Sequence, residues 1–369
     1  MATQTPLADL HKSMGATFAE RSGWLLPDRF EGLPIEYQAV RSGVGLLDLS
    51  NRAFLMFTGP DRLSYLQGML SNDVRPLTPG QGLYATVLNA QGKVVGDCRV
   101  FCTEDAFVLD LWEPIKNKVV EHLNRYLVAD EVEISDSGEK DVIVSLQGPR
   151  AEALLERFIG QNELPQRPLD HAMARLDGVE VRVARFSHTG EKGFDLFIPL
   201  AELNRLAQRL TEEGRIFAAK WIGEQAREVL RIEAGIPLYG VDFTEDNLLL
   251  ETGMDHAVSF FKGCYLGQEV VERIRSRGHV NKKLSGLLLS GREPARHGDR
   301  IRAAEKEIGR ITSSVYSPTV DRPIGLGYLQ KDFWTPGTTL NIDRDGASLE
   351  ARVTTLPFLE RKDELRSSS

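Results

Sequence analysis

The sequence predicts an α+β fold followed by a small all-β domain. Strands and helices alternate along most of the chain without the regular spacing of a βαβ array. Two segments, at residues 54–70 and 142–158, repeat an apolar strand, a Gly-Pro turn and an amphipathic helix. From about residue 284, short apolar runs separated by Gly, Pro and Asp indicate a barrel or sandwich.

The predicted elements divide the chain into three parts. Residues 1–140 form a first α+β portion, residues 141–283 a second, and residues 284–369 a C-terminal β-barrel domain. Leu63, Leu66 and Leu70 share one face of the first helix, as Leu154, Leu155 and Phe158 do in the repeated unit. Further helices are predicted at 113–126, opening with Pro114, and at 199–213, ending before Gly214. Strands are predicted at 84–88, 94–101, 107–111 and 181–186.

A cluster of arginines follows the second portion's last motif. Arg273, Arg275 and Arg277 alternate with other residues, which predicts a strand with one basic face. Such a face is usually solvated, although it would also attract an acidic partner surface or an anionic ligand tail.

Composition limits the classes of function. The chain has 369 residues with 41% hydrophobic and 27% charged residues, which is typical of a soluble globular protein. A net charge of -8 argues against nucleic acid or an anionic membrane as the main partner. Three cysteines, an odd number, do not suggest a disulfide framework. With no signal peptide or membrane span evident, we expect a cytoplasmic protein, and the oligomeric state stays open.

The most distinctive segment lies at residues 262–269 and reads Lys-Gly-Cys-Tyr-Leu-Gly-Gln-Glu. Lys262 precedes Cys264 by two residues, and a nearby ammonium group favours the thiolate over the thiol. Glycines near the thiol allow a tight turn and close approach of a ligand. The residues alone leave two interpretations open, a reactive thiol or an inert cysteine in a turn.

This segment resembles the signature of the YgfZ-type folate-binding proteins, which are relatives of the aminomethyltransferase (glycine-cleavage T protein) family. The resemblance implies two interlocked α+β portions around a central folate cavity, with a C-terminal β-barrel domain. It implies a tetrahydrofolate-binding accessory protein that supports iron–sulfur cluster assembly or repair, with Cys264 essential, Lys262 beside the ligand and iron–sulfur proteins as partners. The alternative is an aminomethyltransferase that moves a one-carbon unit from a lipoyl carrier to tetrahydrofolate.

A second motif ends at Asp97. Residues 88–97 form a predicted hairpin that resembles the family's Leu-Asn-x-x-Gly-Gly-x-x-x-Asp pattern. The resemblance implies that Asp97 faces the pterin and handles a proton during one-carbon transfer. A partly buried carboxylate with a raised pKa suits that task near neutral pH. The alternative is an exposed aspartate at a hairpin turn.

A third motif, residues 188–195, is similar to the family's Tyr-Thr-Gly-Glu-x-Gly-Phe-Glu. By this resemblance Glu191 binds the aminopyrimidine edge of folate, and a carboxylate accepts two parallel N–H bonds from such an edge. His188 stands where the family has tyrosine. A plain hairpin turn at Gly-Glu-Lys-Gly is the alternative.

The fourth motif spans residues 226–242 and resembles the family's Ala-Arg-Asp-x-Leu-Arg-Leu-Glu-Ala-Gly followed by Leu-Tyr-Gly. Arg227 and Arg231 lie four apart and share one helical face. Their guanidinium groups either bind the anionic tail of folate or pair with buried acids. The resemblance adds Tyr239 to the expected folate-binding residues.

The two remaining cysteines give no metal motif. Cys98 and Cys102 point to the same face of one predicted strand and lack Cys-x-x-Cys spacing. We therefore predict that both are buried thiols of a strand and expect no metal site.

Overall fold

A computed structural model of the chain describes residues 2–137, 141–159, 164–278, 280–344 and 347–360. Over these residues the chain forms sheets of three, five and six strands and a closed six-stranded barrel. The strands before the barrel are β1 Thr3–Gln4, β2 Thr17–Arg21, β3 Trp24–Arg29, β4 Val44–Leu49, β5 Arg52–Thr58, β6 Gly82–Leu88, β7 Val94–Cys102, β8 Phe107–Trp112, β9 Glu133–Asp136, β10 Asp141–Gln147, β11 His171–Leu176, β12 Val179–Arg185, β13 Gly193–Pro199 and β14 Ala219–Trp221. The barrel strands are β15 Lys282–Leu289, β16 Arg300–Ala303, β17 Lys306–Ser317, β18 Arg322–Gln330, β19 Thr339–Arg344 and β20 Ala347–Thr354.

The α-helices of the described residues pack around the sheets and all precede the barrel in the chain. They are α1 Ala8–Ser13, α2 Leu33–Ser42, α3 Arg62–Met69, α4 Lys116–Asn124, α5 Ala151–Ile159, α6 Leu203–Gly214, α7 Glu224–Glu233 and α8 Gln268–Arg277. Of these, none is long and apolar enough to cross a membrane.

The two larger sheets interlock. The five-stranded sheet has the order β6-β7-β8-β5-β9, and the six-stranded sheet has the order β11-β12-β13-β10-β4-β14. Strand β4 precedes β5 in the chain yet lies in the other sheet, antiparallel to β10 and parallel to β14. The predicted α+β class with interlocked portions and a C-terminal barrel is therefore confirmed.

The prediction of a strand at the arginine cluster is wrong. Arg273 and Arg275 lie on α8, an α-helix with one glycine at each end. Gly267 and Gly278 have φ angles of 85° and 77°, a left-handed conformation that glycine adopts at little cost. The Gly278 N–H donates to the carbonyl of Ile274, which closes the helix as a glycine C-cap does. The prediction of a strand failed because arginines at every second position over only five residues do not exclude a helix.

The two larger sheets pack face to face through an apolar layer. Phe54 of β5, Phe101 of β7 and Phe197 of β13 meet there, with ring centroids 5.2 to 5.6 Å apart. Leu47, Val108 and Ile143 belong to the same buried cluster. This layer fixes how the strands of one sheet face those of the other.

Candidate active site

A charged cluster continues the apolar layer at one end of the two sheets. Because side chains alternate along a strand, residues two positions apart share a face. A charged residue lies on the same face two positions before or after each of the apolar positions 54, 101, 108 and 197. These charged residues are Arg52, Arg99, Asp110 and Asp195.

Ion pairs join the charged residues of this cluster to one another. Arg99 is about 1% exposed and contacts the carboxylates of both Asp110 and Asp195. The Arg52 Nε donates to Asp110 Oδ1 at 2.7 Å. His188 Nε2 lies 3.0 Å from Asp195 Oδ2. Burial would raise the pKa of Asp195, but the His188 ring and the Arg99 guanidinium hold it below its ordinary range.

Asp97 lies on β7 beside this cluster and is partly buried. Its carboxylate accepts a hydrogen bond from the Tyr84 hydroxyl of the neighbouring strand β6. Burial raises the pKa of Asp97, and the Tyr84 hydrogen bond and the charge of Arg52 oppose that rise. A carboxyl group with a raised pKa can hold and release a proton nearer to neutral pH than an exposed aspartate.

Two cavities are lined by residues of this cluster or by residues that contact it. The polar cavity, of about 560 Å³, is lined by Arg52, Trp112, His188 and Arg227 among others. The barrel-side cavity, of about 600 Å³, is lined by Tyr84, Phe186, His256, Lys283, Trp334 and Leu356 among others. Each has the size of a small-molecule site. Asp97 itself lines neither cavity, but it is bonded to Tyr84 on the wall of one and is electrostatically coupled to Arg52 on the wall of the other, and we call these three residues the partition.

The two predicted arginines of α7 have different surroundings. Arg227 lines the polar cavity, and its guanidinium pairs with Glu224 through bonds of 2.9 and 2.6 Å. Arg231 is about 2% exposed and bonds Asp242 at 2.7 Å and Ser313 of the barrel at 2.8 Å. Arg227 is therefore the arginine available to a cavity ligand, whereas Arg231 joins α7 to the barrel.

Tyr239 packs behind β7 and lines neither cavity. Its hydroxyl donates to the Val95 carbonyl at 2.8 Å and accepts from Lys118 Nζ at 3.2 Å. The structure thus gives Tyr239 a supporting position two residues from Asp97 along the strand.

Glu191 lies at a joint between elements rather than on a cavity wall. It is about 1% exposed, and its Oε1 accepts from Arg41 Nη1 at 2.9 Å. Arg41 also contacts Glu233, which accepts hydrogen bonds from Tyr37 and from Ser317 of the barrel. Glu191 does not line either cavity.

Lys262 anchors the loop that holds Cys264. Its Nζ donates to the carbonyl oxygens of Leu70 and Asn72 at 2.6 and 2.8 Å, and burial lowers its pKa to about 8. Cys264 is exposed, as is Phe261 three residues earlier in the chain. The structure brings neither Lys262 nor Cys264 to the wall of either cavity.

Selective alkylation is expected at Cys264. Cys98 and Cys102 are buried, and burial raises the pKa of both thiols, so they lack both access and thiolate character. Under mild iodoacetamide treatment, mass spectrometry should find Cys264 modified first, and a Cys264→Ser protein should stay nearly unlabelled. Equal labelling of Cys98 or Cys102 in the folded protein would contradict this burial.

The charged cluster contains residues that sequence reasoning missed. Arg99, Asp110 and Asp195 are each nearly inaccessible. One signal was present, because each is a charge on a strand that has an apolar residue two positions away on the same face. Across the described ranges, no group of three or more His, Cys, Asp or Glu side chains is placed to hold a metal ion.

Family models match the chain over nearly its whole length. The GCVT N-terminal domain matches residues 7–262, and the glycine cleavage T-protein C-terminal barrel domain matches residues 282–360. The chain is 36% identical over 360 residues to an aminomethyltransferase of Rubrobacter xylanophilus, covering 97% of this chain and 95% of the relative. It is 32% identical over 362 residues to an aminomethyltransferase of Desulforamulus reducens, covering 97% and 98%.

A solved structure has the same fold. The crystal structure of glycine cleavage system aminomethyltransferase T from Bartonella henselae superposes with a TM-score of 0.90 at 26% identity. The match covers 98% of this chain and 99% of that one. The architecture of both α+β portions and the barrel is therefore shared.

These matches correct the functional expectation drawn from the Cys264 segment. The interpretation as a YgfZ-type accessory protein for iron–sulfur assembly is wrong, because relatives at 29–36% identity over nearly the full chain are aminomethyltransferases. The error arose from weighting eight residues of one loop, whose thiol is exposed and lies on neither cavity wall, above the rest of the chain. The chain belongs to the glycine cleavage T-protein family.

Proposed function

We propose that this protein is an aminomethyltransferase that moves a one-carbon unit from a lipoyl-linked carrier protein to tetrahydrofolate. The observation that carries the proposal is the position of Asp97 in the partition between two cavities of ligand size. Tetrahydrofolate agrees with the family, because aminomethyltransferases use it. It supplies the nitrogen atoms that accept the one-carbon unit.

The residues that line the polar cavity suit a reduced pterin and its tail. The polar cavity offers the Trp112 ring as an apolar surface and Arg52, His188 and Arg227 as polar groups. We assign the pterin to this cavity, with Arg227 available to the anionic part of the ligand. Glu191 stays a proposed folate-binding residue whose observed contact with Arg41 would have to be shared or exchanged.

Asp97 performs the proton transfer in this proposal. Its raised pKa favours a carboxyl that holds a proton near the reacting nitrogen, and Tyr84 fixes its orientation. Cys264, which is exposed and lines neither cavity, has no step in this proposed reaction.

The partner that the reaction requires is a lipoyl-carrying protein. The aminomethyl group is presented as S–CH₂–NH₃⁺ on the carrier. Two bonds form from its carbon to two nitrogen atoms of tetrahydrofolate, which give up their protons, while the carbon–nitrogen bond to ammonia and the carbon–sulfur bond to the carrier break. The carrier sulfur takes up one of these protons and leaves as a thiol, and ammonia takes up the other and leaves as ammonium. Ammonium, the thiol and the methylene-bearing folate together account for every proton of the aminomethyl carrier and tetrahydrofolate.

Turnover with purified components tests the proposal. Aminomethyl-charged lipoyl carrier and tetrahydrofolate should yield ammonia and methylene-tetrahydrofolate in equal amounts, within the ordinary range of enzymatic rates of about 1–10³ per second. Cys264→Ser should retain this turnover. Absence of tetrahydrofolate-dependent ammonia release by a folded protein would overturn the proposal.

A further inference from the structure

Arg52 lies on the same face of the five-stranded sheet as Asp97, and it has no assigned part in the proposed proton transfer. Arg52 of β5 pairs with Trp112 of β8, and Arg99 of β7 pairs with Asp110 of β8. Because side chains alternate along a strand, this register places Asp97, Trp112 and Arg52 in one row across the sheet. In the strand order β7-β8-β5, two strand spacings put the backbones of Asp97 and Arg52 about 10 Å apart.

Asp110 holds the Arg52 guanidinium in place. The Arg52 Nε donates to Asp110 Oδ1 at 2.7 Å, and 19% of the Arg52 side chain is exposed. Asp110 is fully buried and also contacts Arg99, which in turn contacts Asp195. The two arginines and the two aspartates of this cluster therefore balance in charge. An ionised Asp97 adds a fifth charge to the same sheet face, and its stability depends on the field of the other four.

The groups around Asp97 act in opposite directions on its proton. Burial raises the pKa of Asp97, the Tyr84 hydrogen bond and the charge of Arg52 lower it, and the charge of Asp110 raises it. Burial also raises the pKa of three neighbouring groups, which are the Tyr84 hydroxyl, the Cys98 thiol and the Tyr239 hydroxyl. These three are neutral near pH 7, so Arg52 and Asp110 are the charged groups that bear most strongly on Asp97 among the described residues.

Other titratable groups lie one contact further away. His256 packs against Tyr84 with ring centroids 5.2 Å apart, and His188 contacts Asp195 at 3.0 Å. Lys118 donates to the Tyr239 hydroxyl behind β7. Each of these groups reaches Asp97 through a residue that stands between them.

We propose that Arg52 is a positioning residue whose charge, held in place by Asp110, keeps the proton of Asp97 ready for transfer. This inference rests on the proposed function, under which Asp97 donates its proton to a departing group and regains one from a nitrogen atom of tetrahydrofolate. A carboxyl buried without a nearby cation holds its proton too tightly to donate it. A cation without Asp110 beside it favours loss of the proton at lower pH. The Arg52–Asp110 pair sets Asp97 between these extremes.

Titration of the Asp97 carboxyl in the ligand-free protein tests this control directly. With ¹³C-labelled aspartate, the Asp97 carboxyl carbon is the NMR resonance that is missing from Asp97→Asn. Arg52→Gln keeps a donor for Asp110 but removes the charge, so the Asp97 titration midpoint should rise by about one pH unit, the effect of one charge at about 10 Å. Arg52→Lys keeps the charge and should leave the midpoint within about 0.5 pH unit of the original.

Asp110→Asn makes the opposite change to the same ion pair. It removes the negative charge and leaves Arg52 without an ionic partner, so the Asp97 midpoint should fall by about one pH unit. A merely structural role predicts a different result, because loosening would hydrate Asp97 and lower the midpoint in both Arg52→Gln and Asp110→Asn. Opposite shifts therefore distinguish control by charge from structural support.

Arg21→Gln is the control for losing an arginine from the polar cavity. Arg21 also lines this cavity, but 55% of its side chain is exposed, so water and salt screen its charge. The Asp97 midpoint should not change in this variant.

Turnover gives the same comparison in the working enzyme. The fall in kcat with rising pH should move upward by about one pH unit in Arg52→Gln and downward by about one in Asp110→Asn. In Arg52→Lys it should stay in place.

The possible outcomes separate the two claims. An Asp97 midpoint that does not move in Arg52→Gln, or that falls in both Arg52→Gln and Asp110→Asn, would overturn the role of Arg52 and leave the proposed function standing. Absence of turnover in the original protein, with midpoints that shift as expected, would overturn the proposed function and leave the control of Asp97 by Arg52 standing. If Asp110→Asn does not fold, the comparison of Arg52→Gln with Arg52→Lys still decides the matter.

Discussion

Replacing Asp97 by asparagine is expected to lower aminomethyl transfer about 100-fold or more, the usual cost of losing a proton-transferring group. Asparagine keeps the oxygen that accepts the Tyr84 hydroxyl, so the local geometry should persist. The amide cannot hold and release a proton as the carboxyl with its raised pKa does. The loss should therefore fall on kcat, while tetrahydrofolate affinity changes little.

A matched control separates this effect from a general loss of charge. Asp105→Asn changes an exposed aspartate in the turn between β7 and β8 of the same sheet, and full activity is expected. Thermal unfolding of both variants should resemble that of the original protein. An undiminished kcat in Asp97→Asn would show that Asp97 does not transfer the proton and that another group does.

The pH dependence of kcat gives a second measurement on Asp97. A carboxyl whose pKa is raised by burial stays protonated to higher pH than an exposed aspartate, and it loses the proton as pH rises through that pKa. Because Asp97 acts in its protonated form, kcat should fall as the pH rises through this pKa, which lies above the ordinary aspartate value of about 4, and Asp97→Asn should lack this fall.

Most of the fold could be predicted because long elements carry strong periodic signals. The predicted strands at 94–101 and 107–111 match β7 and β8 to within one residue, and the predicted helix at 199–213 covers α6 except for its last residue, Gly214. The N-terminal sheet of β1, β2 and β3 went unpredicted, because its strands are short and β3 contains Pro27. Its pairing depends on contacts that a local pattern does not encode.

The site was predictable only in part, for a physical reason. Asp97 could be named from the sequence because its motif is contiguous, and Asp97 and its hydrogen-bond partner Tyr84 lie on one hairpin; its role in the reaction stays a prediction. The Arg99–Asp195 pair joins two sheets across 96 positions of sequence, so no local pattern reports it. A buried charge on an apolar strand signals that a partner exists without identifying that partner.

The Cys264 segment illustrates the limit of reasoning from one motif. A conspicuous thiol suggests chemistry, yet reactivity alone does not place a residue at a binding site. Lys262 was expected to tune the thiol, whereas its ammonium is held by two backbone carbonyls. The cavities instead gather residues from β5, β6, the turn after β12 and α7, which the fold brings together.

Arg231→Ala is expected to lower the free energy of unfolding by about 3–5 kcal/mol, the cost of leaving a buried charge without its partner. Asp242 is about 1% exposed and loses its Arg231 contact of 2.7 Å. Thr312 and Ser313 of the barrel still donate to Asp242, but hydroxyl groups do not neutralise its charge. Denaturant unfolding should show this loss as a lower denaturant concentration at the midpoint. The structural cause is the loss of the Arg231 contacts that join α7 to the barrel.

Arg227→Ala is the matched comparison, four residues away on the same helix. Its partner Glu224 is partly exposed and can be hydrated once the guanidinium is gone, so the stability loss should be about 1 kcal/mol. Because Arg227 lines the polar cavity, tetrahydrofolate affinity should instead fall by about 1.5–3 kcal/mol, the range for a hydrogen bond to a charged group. The reverse result, with Arg231→Ala stable but unable to bind and Arg227→Ala unstable, would exchange the roles of the two arginines.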